Sequence, residues 1–291
     1  MIPPPVVDLL RVAFPGQPIE DVAPTQGGFS NLTVAATIGG LRCVVKAASA
    51  PLKRADVRRE ARLLDLLRGA DLPIVELLAL AEDDAWTVAI TRAAAGCNGL
   101  LALERGPAEL ERVYHALGGV LAAVHRTPLA AGDADLLLEQ RAYGVRRSLS
   151  ALPLDANLRA DLAAALAHPI WRSAPADLVH GDAGIHNILW DGRVVALLDW
   201  EWAGCGAQLH DLAWLYWTVR WRRLPGRVWQ VFLAGYGGGP ALAGDRSADA
   251  LRALALGQIA GILTRVRGQP GAWEEWLRRL RWTRALDFPA L

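Results

Sequence analysis

The segment 178–201, LVHGDAGIHNILWDGRVVALLDWE, places a few polar side chains between short apolar runs. Short apolar runs bounded by glycine and aspartate are typical of strands that end in tight turns. Four polar residues of the segment therefore fall at strand ends and in the connecting turns: His180, Asp182, Asn187 and Asp199. Because side chains on connecting loops often carry function, this arrangement indicates a site.

The polar residues of this segment suggest a site for a hard cation. In the folded protein, the side-chain oxygens of Asn187 and Asp199 would flank the Asp182 carboxylate. Mg²⁺ prefers oxygen ligands, and it is usually shared between a few protein groups and substrate phosphates. A sparse oxygen site therefore points to a nucleoside triphosphate with Mg²⁺.

A lysine in the N-terminal third supports the same interpretation. The chain contains 29 arginines and only two lysines, and one of them, Lys46, lies inside the apolar run 42–48. A lysine offers a compact point charge that the planar guanidinium of arginine does not reproduce at a tight phosphate site. Alternatively, Lys46 lies on an edge strand and its long side chain only carries the charge to solvent.

Hydrophobic periodicity predicts two regions of different structure. Residues 1–92 read as an antiparallel sheet of four or five strands, including a hairpin that turns at Gly39-Gly40 and strands at 73–80 and 85–91, with one helix over 55–68. After a small, glycine-punctuated stretch that begins at Arg92, the pattern becomes mainly helical. Helices are predicted near 107–126, 135–150, 155–168, 208–223, 226–236, 247–266 and 272–286. We therefore predict two domains, 1–92 and 93–291.

Composition narrows the partners and the location. The 31 basic and 30 acidic residues nearly cancel, so the overall field gives no reason to expect nucleic acid or a membrane surface as partner. No protein partner is evident either. Three distant cysteines without CxxC spacing and an N-terminus without a basic leader or a long apolar run favour a cytoplasmic protein.

Six motifs, in this order and spacing, resemble those of the aminoglycoside phosphotransferase and choline kinase superfamily. They are QGGFSN (26–31), VVK (44–46), RREARLL (58–64), LAAVH (121–125), HGDAGIHN (180–187) and LLDWEWAGCGAQLHDLAWL (197–215). The resemblance implies an α+β, two-lobed protein-kinase-like fold. In that fold a small antiparallel β lobe with one helix binds the nucleotide, and a larger, mainly helical lobe carries the catalytic loop and the acceptor pocket.

The resemblance also implies roles for individual residues. Asp182 would accept the proton of the attacking hydroxyl or orient it, while Asn187 and Asp199 would bind Mg²⁺. Lys46 would contact the α- and β-phosphates of ATP, or of GTP, and Glu60 would pair with Lys46. The remaining nucleotide-binding residues would be Gly27, Gly28, Ser30 and Asn31 of the glycine turn, with Arg92 and Ala93 at the lobe boundary.

Two departures from protein kinases favour a small acceptor. Gly181 stands where many protein kinases have the arginine that pairs with a phosphorylated activation loop, and Asp-Trp-Glu replaces Asp-Phe-Gly at 199–201. Only eleven residues separate Asp199 from Asp211. This leaves little room for a peptide platform or an activation segment, so the expected reaction is transfer of the γ-phosphate of ATP to a hydroxyl of a small molecule.

Several alternatives for the function stay open. The acceptor could be an aminoglycoside, choline, thiamine or a sugar, although the balance of +5 over 201–291 counts against a polycation. The helically spaced Trp214, Trp217 and Trp221 fit a protein core, or else an aromatic cage for the acceptor. A catalytically silent nucleotide-binding module on the same fold is a second possibility. The third, a zinc hydrolase, would use Asp182 with His180, His186 and His210.

Overall fold

A computed structural model describes residues 2–25, 32–128, 136–172, 177–238 and 246–291. The chain forms two compact units. The first unit comprises Met1–Leu101 and His186–Trp202, and the second comprises Ala102–Ile185 and Ala203–Leu291. Each unit has its own secondary structure and core.

The first unit contains a five-stranded antiparallel sheet with the strand order β1-β2-β3-β5-β4. Its strands are β1 (Ile19–Pro24), β2 (Leu32–Ile38), β3 (Leu41–Ala48), β4 (Leu77–Glu82) and β5 (Thr87–Arg92). β2 and β3 pair without a bulge from Leu32 opposite Ala47 to Ile38 opposite Leu41. Gly39 and Gly40 connect them with positive φ angles of 56° and 79°, which suit glycine at a two-residue hairpin turn. The predicted hairpin is confirmed.

Two helices pack on this sheet through different sets of residues. α1 (Pro4–Ala13) shares a buried apolar cluster with Val34, Val45 and Ile90 of the strands. α2 (Pro51–Leu66) packs through Val57 and Ala61 against a smaller cluster from β3 and β5. Because side chains alternate between the two faces of a strand, the residues on either side of Val45 in β3 point to the α2 face. α2 begins at Pro51 rather than at the predicted Ala55, since proline at the first helical position favours a helix start.

A small three-stranded sheet completes the first unit. It consists of β6 (Cys97–Asn98), β8 (Ile188–Trp190) and β9 (Val194–Leu197), in the order β6-β8-β9. The backbone N–H of Leu197 donates to the carbonyl of Pro73 at 2.6 Å, and Ile74 forms a single bridge with Leu197. Pro73 and Ile74, at the start of the predicted strand 73–80, therefore contact this sheet, while the carbonyl of Glu76 accepts from Arg92 of β5 and β4 begins at Leu77.

The second unit is mainly helical. Its helices are α3 (Ala102–Arg105), α4 (Pro107–Arg126), α5 (Leu138–Ser148), α6 (Ala156–Ala167), α7 (Leu209–Trp221), α8 (Gly226–Tyr236), α9 (Arg246–Val266) and α10 (Pro270–Arg284). Two short strands, β7 (Asp177–Val179) and β10 (Gly204–Gly206), pair antiparallel. A side chain at Gly118 or Gly235 would meet backbone atoms of the other helix of the α4–α8 pair, so these glycines allow the two helices to approach closely.

The first compact unit extends beyond the predicted domain boundary at residue 92. β6 pairs with β8, so the first unit continues to Leu101 and includes the segment 186–202. The division into a nucleotide-binding lobe, 1–92, and an acceptor-binding lobe, 93–291, stays a prediction about function. Among the described residues, none of the helices combines the length and the apolar composition that crossing a bilayer requires.

Candidate functional site

Lys46 of β3 lies at the centre of a group of acidic side chains in the first unit. Its Nζ donates to Glu60 Oε2 at 2.5 Å and to Asp199 Oδ1 at 2.8 Å, and it lies 3.7 Å from Glu201 Oε2. Glu60 is in α2, and both other acids follow β9. We call these four residues the lysine cluster. The fold thus joins a strand, a helix and a distant turn through one ammonium group.

The lysine cluster carries more negative than positive charge. Burial by itself lowers the pKa of Lys46, but the three carboxylates outweigh this effect and raise it, which keeps the ammonium charged. Burial, aided by the neighbouring Asp199 charge, raises the pKa of Glu60 and of Glu201 despite the lysine. Three carboxylates around one lysine favour the approach of a further cation.

The second lysine of the chain also contacts this cluster. Lys53 Nζ lies 3.5 Å from Glu201 Oε1 and 3.6 Å from Asp56 Oδ2. Arg59, on the same helix α2, donates to the backbone carbonyl of Glu201 at 3.4 Å. Glu201 therefore contacts both lysines and ties α2 to the turn that follows Asp199.

Asn187 and Asp199 come from adjacent positions beside the β8–β9 pair. The backbone N–H of Leu198 donates to the carbonyl of Asn187 at 2.7 Å, which holds the two segments together. Asp199 has a φ of 63°, a left-handed conformation that is strained for most residues and that aspartate tolerates better than they do. Its side chain is 39% exposed, against 11% for Glu60 and 7% for Glu201.

The donors of this region fit a hard, hydrated cation. Asp199 is the carboxylate of the lysine cluster that reaches solvent, and the neighbouring segment carries Asn187, a buried residue whose side chain has an amide oxygen. In the part of the chain that the structure describes, no three His, Cys, Asp or Glu side chains are grouped as a metal cage. Few oxygen ligands with open positions suit Mg²⁺ shared with phosphates better than they suit a structural zinc ion.

The backbone of the loop that carries Asp182 is held by Asp211 in the second unit. The N–H groups of His180 and Gly181 each donate to the Asp211 carboxylate at 2.7 Å. Gly181 has a φ of 80°, which favours glycine at this turn, and its carbonyl accepts from Gln258 at 2.9 Å. Asp211 lies in the first turn of α7 and braces the loop through these two hydrogen bonds.

Asp211 is itself fixed by a buried hydrogen-bond chain. His125 of α4 contacts Asp211 Oδ2 through Nε2 at 3.0 Å and Tyr236 Oη through Nδ1 at 2.6 Å. Tyr236 in turn donates to Gln208 Oε1 at 3.0 Å. Burial alone raises the pKa of Asp211, but the hydrogen bond from His125 and the nearby histidines outweigh it, so the pKa falls below its usual value.

The Asp182 side chain has a partner that the sequence did not suggest. The indole Nε1–H of Trp214 donates to Asp182 Oδ1 at 2.6 Å, while the backbone N–H of Asp182 donates to His180 Nδ1 at 3.3 Å. Trp214 lies in α7, three residues after Asp211. The half-buried Asp182 is therefore held both through its backbone N–H and through its carboxylate.

The other predicted nucleotide-binding residues belong to the glycine turn and to the lobe boundary. Gly27, Gly28, Ser30 and Asn31 lie outside the described residues. Arg92, which ends β5, pairs with Glu76 at 2.6 Å, and the backbone N–H of Ala93 donates to the carbonyl of Arg42 at 2.9 Å. The structure thus shows Arg92 and Ala93 in bonds within the protein.

Sequence reasoning missed four contributors. Glu201 stands in a motif without a role of its own, and Lys53 is the second of the two lysines. The rarity of lysine is a signal that points to Lys53. His125 lies in the motif LAAVH and was given no role. Trp214 was read from its helical spacing as core or cage, and no pattern in the sequence shows that its indole reaches Asp182.

Comparison with known proteins gives a family and a fold. A family model described as "Phosphotransferase enzyme family" matches residues 21–251. The crystal structure of aminoglycoside phosphotransferase APH(4)-Ia matches with a TM-score of 0.70 and 20% identity over 96% of this chain and 97% of that one. No curated protein matches the chain by sequence.

Two further solved structures agree. A thermostable mutant of APH(4)-Ia in ternary complex with AMP-PNP and hygromycin B matches with a TM-score of 0.68 and 20% identity over 95% of this chain and 96% of that one. A GDP complex of an aminoglycoside 2′-phosphotransferase-IIIa mutant matches with a TM-score of 0.71 and 15% identity over 96% of each chain. The predicted α+β, protein-kinase-like fold class is confirmed.

Proposed function

The chain belongs to the phosphotransferase enzyme family, and we propose that it transfers the γ-phosphoryl group of ATP to a hydroxyl of a small molecule. The observation that carries this proposal is the lysine cluster. One of only two lysines in the chain binds an acidic residue of a helix and a second acidic residue 153 positions away. This is the pairing that phosphoryl transfer on such a fold requires to position the phosphates and the metal.

On this proposal the nucleotide side of the reaction belongs to the first unit. Lys46 would contact the α- and β-phosphates, with Glu60 setting the direction of its ammonium group. Asn187 and Asp199 would hold Mg²⁺, which when bound would neutralise charge on the phosphates. Gly27, Gly28, Ser30 and Asn31, with Arg92 and Ala93, stay predicted nucleotide contacts, and GTP stays an alternative donor.

Asp182 would act on the acceptor. The acceptor oxygen forms a bond to the γ-phosphorus as the bond from that phosphorus to the β,γ-bridging oxygen breaks, which yields ADP and a phosphate monoester. The proton of the acceptor hydroxyl passes to the Asp182 carboxylate and then to solvent. Because the transition state is loose, the larger contribution of Asp182 is to orient the hydroxyl.

Relatives and charge both bear on the class of the acceptor. The matched structures are aminoglycoside phosphotransferases, and one of them contains hygromycin B. The positive balance over 201–291 weighs against a strongly polycationic acceptor. We therefore place an aminoglycoside-like acceptor with few amino groups first, and choline, thiamine or a sugar derivative as the alternatives. A cytoplasmic location without nucleic-acid, membrane or protein partners stays a prediction.

A phosphate-transfer assay tests the proposal. The protein is incubated with Mg-ATP or Mg-GTP and with hygromycin B, other aminoglycosides, choline, thiamine and amino sugars, and phosphorylated products are detected by mass spectrometry. We expect one acceptor class to be phosphorylated with wild-type protein and not with Asp182→Asn. Transfer to none of them, together with a thermal shift on binding Mg-AMP-PNP, would favour a catalytically silent nucleotide-binding module. Tightly bound zinc in elemental analysis would instead favour a hydrolase.

A further inference from the structure

The hydrogen bond between Trp214 and Asp182 joins the loop side chain to a rigid aromatic group. The indole nitrogen and Oδ1 are 2.6 Å apart, a short distance for an N–H donor and a carboxylate. Trp214 is 4% exposed, so its ring is buried in the second unit. A buried donor that contacts a carboxylate limits the rotation of that carboxylate.

The Trp214 ring is held in place by other tryptophans. It lies parallel to Trp217, with centroids 4.6 Å apart and an interplanar angle of 5°, and near-parallel to Trp276 at 6.2 Å. Trp217 continues the stack to Trp221 at 5.7 Å and 3°. We call these four residues the tryptophan stack. The Trp214 ring cannot rotate without displacing its neighbours, so the position of its N–H is fixed by packing.

Helix α7 holds both the loop backbone just before Asp182 and the Asp182 carboxylate. Asp211 accepts from the loop backbone, and Trp214 follows it by three residues, which places the two side chains on neighbouring positions of one helix face. One rigid helix therefore sets the position of the loop and the orientation of its carboxylate. Because the loop backbone and the carboxylate are both held, Asp182 needs little reorganisation when an acceptor hydroxyl arrives.

The indole fixes which atom of Asp182 is bound. An indole N–H can only donate, and it contacts Oδ1 of the carboxylate. The backbone N–H of Asp182 donates to His180 Nδ1, so the residue is held at its backbone as well as at its side chain. Asp182 is therefore a well-oriented acceptor of a hydrogen bond.

We propose that Trp214 is a positioning residue for phosphoryl transfer, which orients the Asp182 carboxylate toward the acceptor hydroxyl. This inference rests on the proposed function of Asp182. It also gives a reason for part of the aromatic content of α7: the tryptophan stack makes the donor rigid.

A matched pair of variants tests the proposal. Trp214→Phe removes the donor to Asp182 and keeps an aromatic ring in the stack. Trp171→Phe removes a comparable indole donor in the same unit, which is bound to the carbonyl of Ala165 at 2.9 Å and lies outside the tryptophan stack. We expect Trp214→Phe to lower kcat for the phosphorylated acceptor on the order of tenfold to hundredfold, with KM for ATP nearly unchanged. Trp171→Phe should lower the melting temperature and leave kcat near that of the wild type.

The split between kcat and KM separates orientation from general loss of structure. Loss of orientation alone should lower kcat in Trp214→Phe and leave KM for ATP, while Trp171→Phe should change neither. Equal kcat values in wild type and Trp214→Phe would overturn the inference while the proposed function stands.

A second measurement does not depend on activity or on the folding of Trp214→Phe. In protein labelled with ¹⁵N-tryptophan, Asp182→Ala should shift one indole N–H resonance and speed its exchange with solvent. A spectrum unchanged by Asp182→Ala would overturn the inference. If that resonance shifts but wild-type protein phosphorylates no acceptor, the hydrogen bond is supported and the proposed function is contradicted.

Discussion

The lysine cluster and the Asp182 loop hold carboxylates by opposite means. In the first unit, Glu60, Asp199 and Glu201 surround one ammonium group, so the cluster is ionic and carries surplus negative charge. In the second unit, Asp211 accepts two backbone N–H groups and Asp182 accepts an indole N–H. An ionic cluster responds to the arrival of charged ligands, whereas directed hydrogen bonds hold one geometry.

On the proposed function, this difference suits two partners in one reaction. A nucleotide and its metal would bring several charges, and the surplus negative charge next to Lys46, with the partly exposed Asp199, would attract the metal. An acceptor hydroxyl is neutral, so it must be positioned by direction rather than by charge. The predictions below test this contrast, from the largest expected effect to the smallest.

The largest effect is expected at Asp182. Asp182→Asn retains an oxygen that can accept from Trp214 but loses the negative charge, so kcat should fall by about 10³-fold or more. Binding of Mg-AMP-PNP, measured by calorimetry, should stay within about threefold of the wild type, because the lysine cluster is unchanged. Loss of nucleotide binding in this variant would contradict the division of roles.

Replacing Asp211 should cost the most stability. Asp211→Asn places an amide N–H₂ against one of the donors that the carboxylate accepts, so the free energy of unfolding should fall by about 3 kcal/mol in denaturant titrations. Asp249→Asn is the control, because Asp249 is an exposed first-turn carboxylate of α9. If the two variants lose equal stability, Asp211 has no more than a helix-dipole role.

His210 predicts a pH dependence of stability in the second unit. Burial lowers the pKa of this histidine from 6.5 to about 4. Below pH 6.5 the unfolded chain binds a proton that the folded protein does not bind until about pH 4, so stability is lost as the pH falls through this interval. The loss from this group should approach about 3 kcal/mol.

Denaturant titrations between pH 7 and pH 4 measure this effect. His210→Gln should flatten the dependence, while His115→Gln, which changes a histidine in the same unit, should leave it steep. A curve of unchanged slope in His210→Gln would show that His210 is not the responsible group.

Lys46→Arg tests whether the lysine cluster needs a point charge. Arginine keeps the positive charge, but its planar fork is larger, so kcat/KM for ATP should fall on the order of 10²-fold in steady-state assays. Lys53→Arg, at the partly exposed second lysine, should change it less than about threefold. Similar losses in both variants would mean that charge next to Glu201, rather than the geometry at Lys46, matters.

The smallest effect is expected for Lys53→Met. The ion pair with Glu201 is 3.5 Å long, and the lysine side chain is partly exposed, so stability should fall by less than about 1 kcal/mol. Thermal unfolding at low and high salt measures the difference, which should shrink as salt is added. A large loss that does not depend on salt would show that Glu201 relies on Lys53 as strongly as on Lys46.

Much of the fold could be predicted because periodicity is local. The hairpin at Gly39-Gly40 and helices such as 107–126 and 226–236 have the expected bounds, since turn glycines and apolar spacing act over a few residues. The predicted start of the β4 strand, at residue 73, was four residues too early. Pro73 and Ile74 instead contact Leu197, which is more than a hundred positions away in the sequence.

The sequence by itself determined the kinds of groups at the candidate site: one lysine among arginines, carboxylates at strand ends, and a glycine at the loop of Asp182. These choices are visible because each is limited by charge type or by backbone conformation at a single position. Only the tertiary structure decided which groups meet. Both lysines reach Glu201, and Trp214 reaches Asp182 across 32 positions of sequence. Such contacts depend on how helices and strands pack, which no local pattern records.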